Sequence, residues 1–305
     1  MEKQEFKALA KTLQTETLDD KARAKFPEES FIDLPCGNTH YQLGEPGVPN
    51  GETVVLVHGY STPYFLYDNL YAALLKAGYR VLRYDLLGRG LSERIRGKHT
   101  PEFFAQQLLE LTESVLGKDA PFHLVGTSMG GSICMCFTAL HPTNVRKVVL
   151  LAPAGMDTFK PPIYMMLTRV PLLGALAFHL TGASNFMRKC TDELRKADQA
   201  TKDEFQRKFT AGARYKGYMS GLLSSLRYTI LDTKKTVGYY QTVAERKSPV
   251  LCIWGTEDHT MPYYQSERFC ELFPHADLVT FGGSGHLFLY DESDRTMRHI
   301  LPFLA

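Results

Sequence analysis

No CxxC pair and no histidine at metal-ligand spacing accompanies the six cysteines, Cys36, Cys134, Cys136, Cys190, Cys252 and Cys270, so no metal site and no redox dithiol is expected. Several of them fall inside apolar runs, where reduced thiols pack as small hydrophobes, and the compartment reads as reducing and cytoplasmic. No Lys/Arg run of the kind that tracks phosphates occurs and the formal net charge is only +2, which sets nucleic acid aside as a partner. Residues 1–26 are charged throughout and lack an apolar segment, so they read as a surface helix and not as a secretory signal. The most apolar long stretch, Pro161 to Leu180, is interrupted by Arg169 and Pro171 and does not read as a membrane span.

What is present is a core. The 305 residues, 44% hydrophobic and 22% charged, suit a single globular domain over 1–305 that carries an insertion. Short apolar runs bounded by Gly, Pro or Asp recur as "TVVLVHG", "YRVLRYD", "FHLVG", "RKVVLLAP", "PVLCIWG" and "DLVTFGG", each reading as a strand buried on both faces. Segments with helical spacing alternate with them, which predicts a mostly parallel sheet flanked by helices. "FIDLP" and "THYQLGE" are candidates for an antiparallel pair at its edge. The alternation breaks from 156 to 246, where no buried strand is apparent, and this stretch reads as a helical cap over the carboxyl ends of the strands, where open parallel sheets place their ligand sites.

In "PFHLVGTSMGGSICMC" a buried strand ends on Gly126, a lone hydroxyl follows at Ser128, and an apolar helix begins. The centre of this G-x-S-x-G has the strand–turn–helix context of a nucleophile elbow. Ser128 needs a base, and His286 in "GGSGHLF" follows the last strand on a Gly-rich loop; the other histidines have duller places, in helices, strands or polar loops such as those of His99 and His275. Asp258 in "GTEDHTMP" lies between Ser128 and His286 in chain order, the order this architecture uses, and is the candidate acid over its neighbour Glu257. The backbone N–H groups of Met129 and of Tyr60, in "VHGYSTPY", are the candidate oxyanion donors; His58 reads as structural. "YDLLGRGLS" reads as a Gly-rich loop in which Asp85 satisfies backbone donors, and its spacing does not support a dinucleotide site. No cofactor is expected.

"HGY", "DLLGRGLS", "GTSMGG", "GTEDHTMP" and "GGSGH" together resemble the α/β-hydrolase fold superfamily, on both sides of the cap. "PFHLVGTSMGG" followed by "LLAPAGM" is similar to the monoacylglycerol-lipase branch; the carbon–carbon bond hydrolases of aromatic ring-fission products also carry a Gly-x-Ser-Met-Gly-Gly elbow. Ser128 stands where epoxide hydrolases and haloalkane dehalogenases place Asp. The chain lacks the Ala-Gln-Trp that follows the histidine of ring-fission hydrolases, and Met129 is not the Trp of proline iminopeptidases. Residues 1–26 are not expected to supply the N-terminal anchor of the mammalian lipases.

The resemblance implies a serine hydrolase of carboxylic esters, monoacylglycerols foremost. The alternatives are cleavage of carbon–carbon or amide bonds by the same machinery, or a binding member of the fold without turnover. Residues 156–246 hold fifteen Lys and Arg against eight Asp and Glu. Apolar side chains in 161–180 with cations such as Lys189, Lys196 and Lys208 nearby give the expectation of a peripheral contact with anionic lipid.

Overall fold

The computed structural model describes residues 3–305 apart from Pro171. Two short helices, α1 (Lys3–Thr12) and α2 (Asp20–Arg23), lead into the strands β1 (Ser30–Leu34) and β2 (Gly37–Gly44). The surface helix expected at 1–26 is therefore divided: Gln14 turns to a φ of 56° and its N–H donates to Ala213 O at 3.1 Å. Then follow β3 (Thr53–Val57), α3 (Asp68–Lys76), β4 (Arg80–Tyr84), α4 (Pro101–Leu116), β5 (Phe122–Thr127), α5 (Met129–Leu140) and β6 (Val145–Leu151). Between β6 and β7 (Val250–Gly255) the named elements are all helical: α6 (Ile163–Leu167), α7 (Leu173–Asp192), α8 (Gln199–Ala213), α9 (Tyr218–Ser225) and α10 (Thr233–Glu245). The chain closes with α11 (Gln265–Leu272), β8 (Asp277–Phe281), α12 (Phe288–Asp291) and α13 (Ser293–Leu304).

The strands form one sheet in the order β1-β2-β4-β3-β5-β6-β7-β8. β1 and β2 are antiparallel to each other, β2 is antiparallel to β4, and the remaining pairs are parallel. Every residue of β5 and β7 is buried, the pattern of strands covered by helices on both faces. β8 departs from that expectation. With a neighbour on one side only, it leaves Asp277 and Thr280 exposed. The helices follow local chemistry as well as packing. α4 starts where the Thr100 hydroxyl accepts the Phe103 N–H at 3.2 Å, has Pro101 in its first turn, and stops at Gly117 with φ 104°.

At the antiparallel edge a buried imidazole is held between two carboxylates. His40 Nδ1 meets Asp85 Oδ2 at 2.7 Å and His40 Nε2 meets Glu29 Oε2 at 2.9 Å. Burial alone would depress His40, but the charges and hydrogen bonds of Asp85 and Glu29 hold it up at about 9. Burial would raise Asp85, yet His40 pulls it down to about 2. A raised histidine contributes stability that is complete below its unfolded pKa and is lost as pH climbs through the folded one. The melting temperature should accordingly fall between about pH 6.5 and pH 9. His40→Gln should flatten that fall in a pH series of thermal melts; an equally steep fall in the variant would place its origin elsewhere. On the acid side Asp85 contributes above its ordinary value near 3.8 and loses that contribution as pH drops towards 2.

The helices of 156–246 and the residues that join them sit on the loops that follow β3, β4, β7 and β8. The Tyr218 hydroxyl donates to Ser61 O at 2.7 Å, and the Tyr60 hydroxyl to Leu222 O at 2.9 Å. α7 is two arms: Gly182, at φ 71° and ψ 152°, breaks the helix, a conformation open to glycine and strained for other residues. The second arm points its carboxyl end at the β7 and β8 loops. Among the described residues no helix is long and apolar enough to cross a membrane, and all six cysteines are free.

Candidate active site

Ser128 lies between β5 and α5 with φ 55° and ψ −122°, a strained backbone for a residue other than glycine. The surrounding bonds hold it there: its N–H donates to Leu151 O, and its carbonyl accepts from Gly131 N and Ala154 N, each at 2.9 Å. A β-carbon on Gly130 would lie 2.0 Å from Val57 O, so only glycine lets the helix start this close to β3. The Ser128 hydroxyl does not cap α5. Among the described residues it is left uncommitted, at the positive end of the helix dipole.

The loop after β8 brings His286 to Asp258, in the loop after β7: His286 Nδ1 donates to Asp258 Oδ2 at 2.7 Å. Asp258 Oδ1 accepts the N–H groups of Thr260 at 2.9 Å and Met261 at 2.7 Å. The carboxylate is thus fixed on three sides, and the donated proton leaves Nε2 as the basic nitrogen. Glu257, the rival acid, is exposed. Burial works against charge on His286, but Asp258, and behind it Glu193, hold the imidazole above its ordinary value. Burial pushes the Asp258 carboxyl up, against the pull of His286 and of the Met261 N–H. Ser128 and His286 face one cavity of about 430 Å³. Their own hydrogen bond is absent among the described residues, a contact that commonly tightens only with substrate.

Neither Tyr60 N–H nor Met129 N–H donates to another group among the described residues, which leaves both free for an oxyanion. Two buried side chains fix the loop that carries Tyr60. His58 donates from Nδ1 to Gly59 O and accepts the Leu86 N–H on Nε2, both at 2.9 Å, and burial lowers its pKa to about 4. Its structural reading stands. Arg89, in the middle of "LLGRGLS", is fully buried and donates from Nε to Tyr60 O at 3.0 Å and from Nη2 to Ser225 Oγ at 2.7 Å. The segment read as a simple Gly-rich turn therefore also ties the loop of Tyr60 to the helices of 156–246. Asp85 does satisfy backbone donors, Tyr64 N–H and Leu91 N–H, each at 2.9 Å. His99 is not in an open polar loop: it is buried, stacked on Phe103 with 5.0 Å between centroids.

Glu193 is the residue that the sequence did not mark. Just past the end of α7, it is buried, accepting the His286 N–H on Oε2 and the Thr260 hydroxyl on Oε1, both at 3.0 Å. One cap carboxylate thereby clasps the loop of His286 to the loop of Asp258. A hydrogen bond to a charged group contributes about 1.5–3 kcal/mol, so Glu193→Gln, which cannot accept on both arms, should loosen the clasp. A direct electrostatic readout exists as well. With His286 as the base, activity should rise with pH through an apparent pKa above the ordinary imidazole value of about 6.5, and Glu193→Gln should move that rise to lower pH. An unmoved profile would make Glu193 a purely structural clasp.

A second cavity, of about 390 Å³, adjoins the first and is lined largely by apolar side chains, Leu167, Phe178 and Ala177 among them. Tyr60, Tyr164, Met165, Phe186, Lys189 and Leu226 belong to the walls of both. Among the described residues no cluster of His, Cys, Asp and Glu could hold a metal ion.

A family model described as "alpha/beta hydrolase fold" matches residues 52–293. The chain is 27% identical over 300 residues, 95% of its own length and 98% of the relative's, to a 2-hydroxy-6-oxononadienedioate/2-hydroxy-6-oxononatrienedioate hydrolase of Dechloromonas aromatica. Among solved structures, it resembles a thermophilic esterase from Thermogutta terrifontis with a TM-score of 0.71 at 19% identity, covering 90% of this chain and 97% of that one. A meta-cleavage product hydrolase from Pseudomonas fluorescens gives 0.70 at 21% identity, covering 90% and 97%. The expectation of the monoacylglycerol-lipase branch is not carried by these matches, which bear the names of ring-fission-product hydrolases and esterases.

Proposed function

We propose that this chain, which belongs to the alpha/beta hydrolase fold family, is a serine hydrolase that cleaves apolar carboxylic esters through an acyl-enzyme. Ser128 attacks the ester carbonyl while His286 Nε2 takes its proton, and Asp258 holds the imidazole and stabilises its charged form. The N–H groups of Met129 and Tyr60 receive the negative oxygen of the tetrahedral intermediate. His286 then gives the proton to the departing alcohol, and water, activated by the same imidazole, releases the acid. The observation that carries the ester reading is the wall shared by the Ser128 cavity and its apolar neighbour. A medium or long acyl chain, such as that of a monoacylglycerol, would run from the reacting carbonyl into the second cavity.

The second reading is hydrolysis of a ring-fission product, and the relatives' names favour it. Their substrate is by its name a dicarboxylate, and the Ser128 cavity is lined by Lys160, Lys189 and Arg195, none of which has a carboxylate partner among the described ion pairs. Initial rates on acyl esters of increasing chain length, beside a 2-hydroxy-6-oxo-dienedioate, separate the two. The ester reading expects kcat/KM to climb with chain length and the dienedioate to be turned over poorly; the reverse ranking would replace it with the second reading.

A further inference from the structure

Among the described residues, most of the large hydrophobic side chains left in solvent fall in one place. Ile163, Tyr164, Met166, Leu167, Val170, Leu172, Leu173, Leu176 and Leu180 are all exposed, Leu172 by 85% and Leu180 by 77%. On the first arm of α7, Leu173, Leu176 and Leu180 follow the spacing of one helical face, while Gly174 and Phe178 on another face are buried and line the apolar cavity. The arm is apolar on both sides and covered on one. Contiguous apolar patches of this kind mark interaction surfaces.

Charge identifies the occupant. From Thr158 to Thr191 there is no Asp or Glu, while Lys160, Arg169, Arg188 and Lys189 are exposed. An apolar face ringed by cations alone suits an anionic lipid surface, where apolar side chains enter the interface and basic ones meet the headgroups. The cation set differs from the one expected from sequence. Lys208 is committed to Asp68 at 2.7 Å and Glu204 at 2.6 Å, and Lys196 Nζ lies beside Gly283 in the β8 loop, so of the three only Lys189 borders the apolar patch.

We propose that α6 and the first arm of α7 dock the protein peripherally on an anionic bilayer, and that the apolar cavity behind them is the portal from that bilayer to Ser128. Tyr164 and Leu167 belong both to the exposed patch and to the cavity wall, so a lipid chain passing between them would not cross water. Docking is independent of the ester reading, because it is measured without turnover.

The experiment is co-sedimentation of the full chain with vesicles of phosphatidylcholine alone and of equimolar phosphatidylcholine and phosphatidylserine, at low and high salt. Wild type should partition onto the mixed vesicles, less so as salt rises, and weakly onto the neutral ones. The double variant Leu173→Ser, Leu180→Ser should lose about a hundredfold in partitioning, roughly tenfold for each leucine, with an unchanged melting temperature because both side chains are already in solvent. Partitioning equal to wild type overturns the proposal. So does a wild type that ignores both vesicles but sediments as a dimer which the double variant dissociates, since the face would then bind a second copy of the chain. Turnover of a short soluble ester, followed in parallel, tests the ester reading separately: its absence with docking intact would overturn that reading alone.

Discussion

Ser128→Ala should lower kcat by a factor on the order of 10⁴ or more, with no loss of thermal stability. The two halves of this expectation come from one geometry. The hydroxyl makes no capping bond to α5, and the bonds that hold residue 128 in its strained conformation run through the backbone, to Leu151 O and from Gly131 and Ala154. Alanine keeps those bonds and the β-carbon and removes only the hydroxyl. An active site whose reactive atom is unsatisfied for the fold's own purposes is a common place for activity and stability to oppose each other. Steady-state kinetics on whichever ester or dienedioate is turned over, with a thermal melt of the same sample, give both quantities. Retained turnover would remove Ser128 from the mechanism, whereas lost turnover with a collapsed melting temperature would make the serine structural.

Asp258→Asn should lower kcat by roughly 10⁴, while Glu257→Gln changes it little. Oδ1 of Asp258 accepts two backbone N–H groups and Oδ2 faces His286 Nδ1. In the variant the amide oxygen would keep the backbone donors, which turns the NH₂ group towards Nδ1. That nitrogen must then be the acceptor, the proton moves to Nε2, and the base faces Ser128 in the wrong tautomer. Glu257 is exposed, and the hydrogen bonds of His286 among the described residues run to Glu193 and Asp258. Kinetics of the two variants side by side distinguish the assignments, and the opposite ranking would transfer the role to Glu257.

The features legible in the sequence are those that short-range pattern determines. A buried parallel strand is a continuous apolar run, so β3, β4, β5, β6 and β7 stand out, and a nucleophile elbow needs its glycines within two residues of the serine. The order Ser128, Asp258, His286 is likewise a property of the chain, and the structure brings the last two to 2.7 Å. Features that depend on which side of an element faces what were hidden. Glu193 reads as one more charge in a charged insertion until the cap folds it onto the loops of His286 and Thr260. Arg89 looks like a surface cation between two glycines, yet it is buried against Tyr60 O and Ser225. Hydrophobic content in 161–180 was plain, but spacing alone cannot say which apolar face of α7 meets the core and which meets solvent. β8 carries the composition of a central strand and sits at the edge, because strand order is set by packing and not by composition.

A serine nucleophile served by His286 and Asp258 is tested by peptide-resolved mass spectrometry of the full chain after reaction with a fluorophosphonate. One adduct is expected, on Ser128, and its formation should slow sharply in His286→Ala because the base no longer withdraws the hydroxyl proton. An adduct on a different serine of the folded protein, or no adduct at all under conditions where the protein is folded, would contradict it.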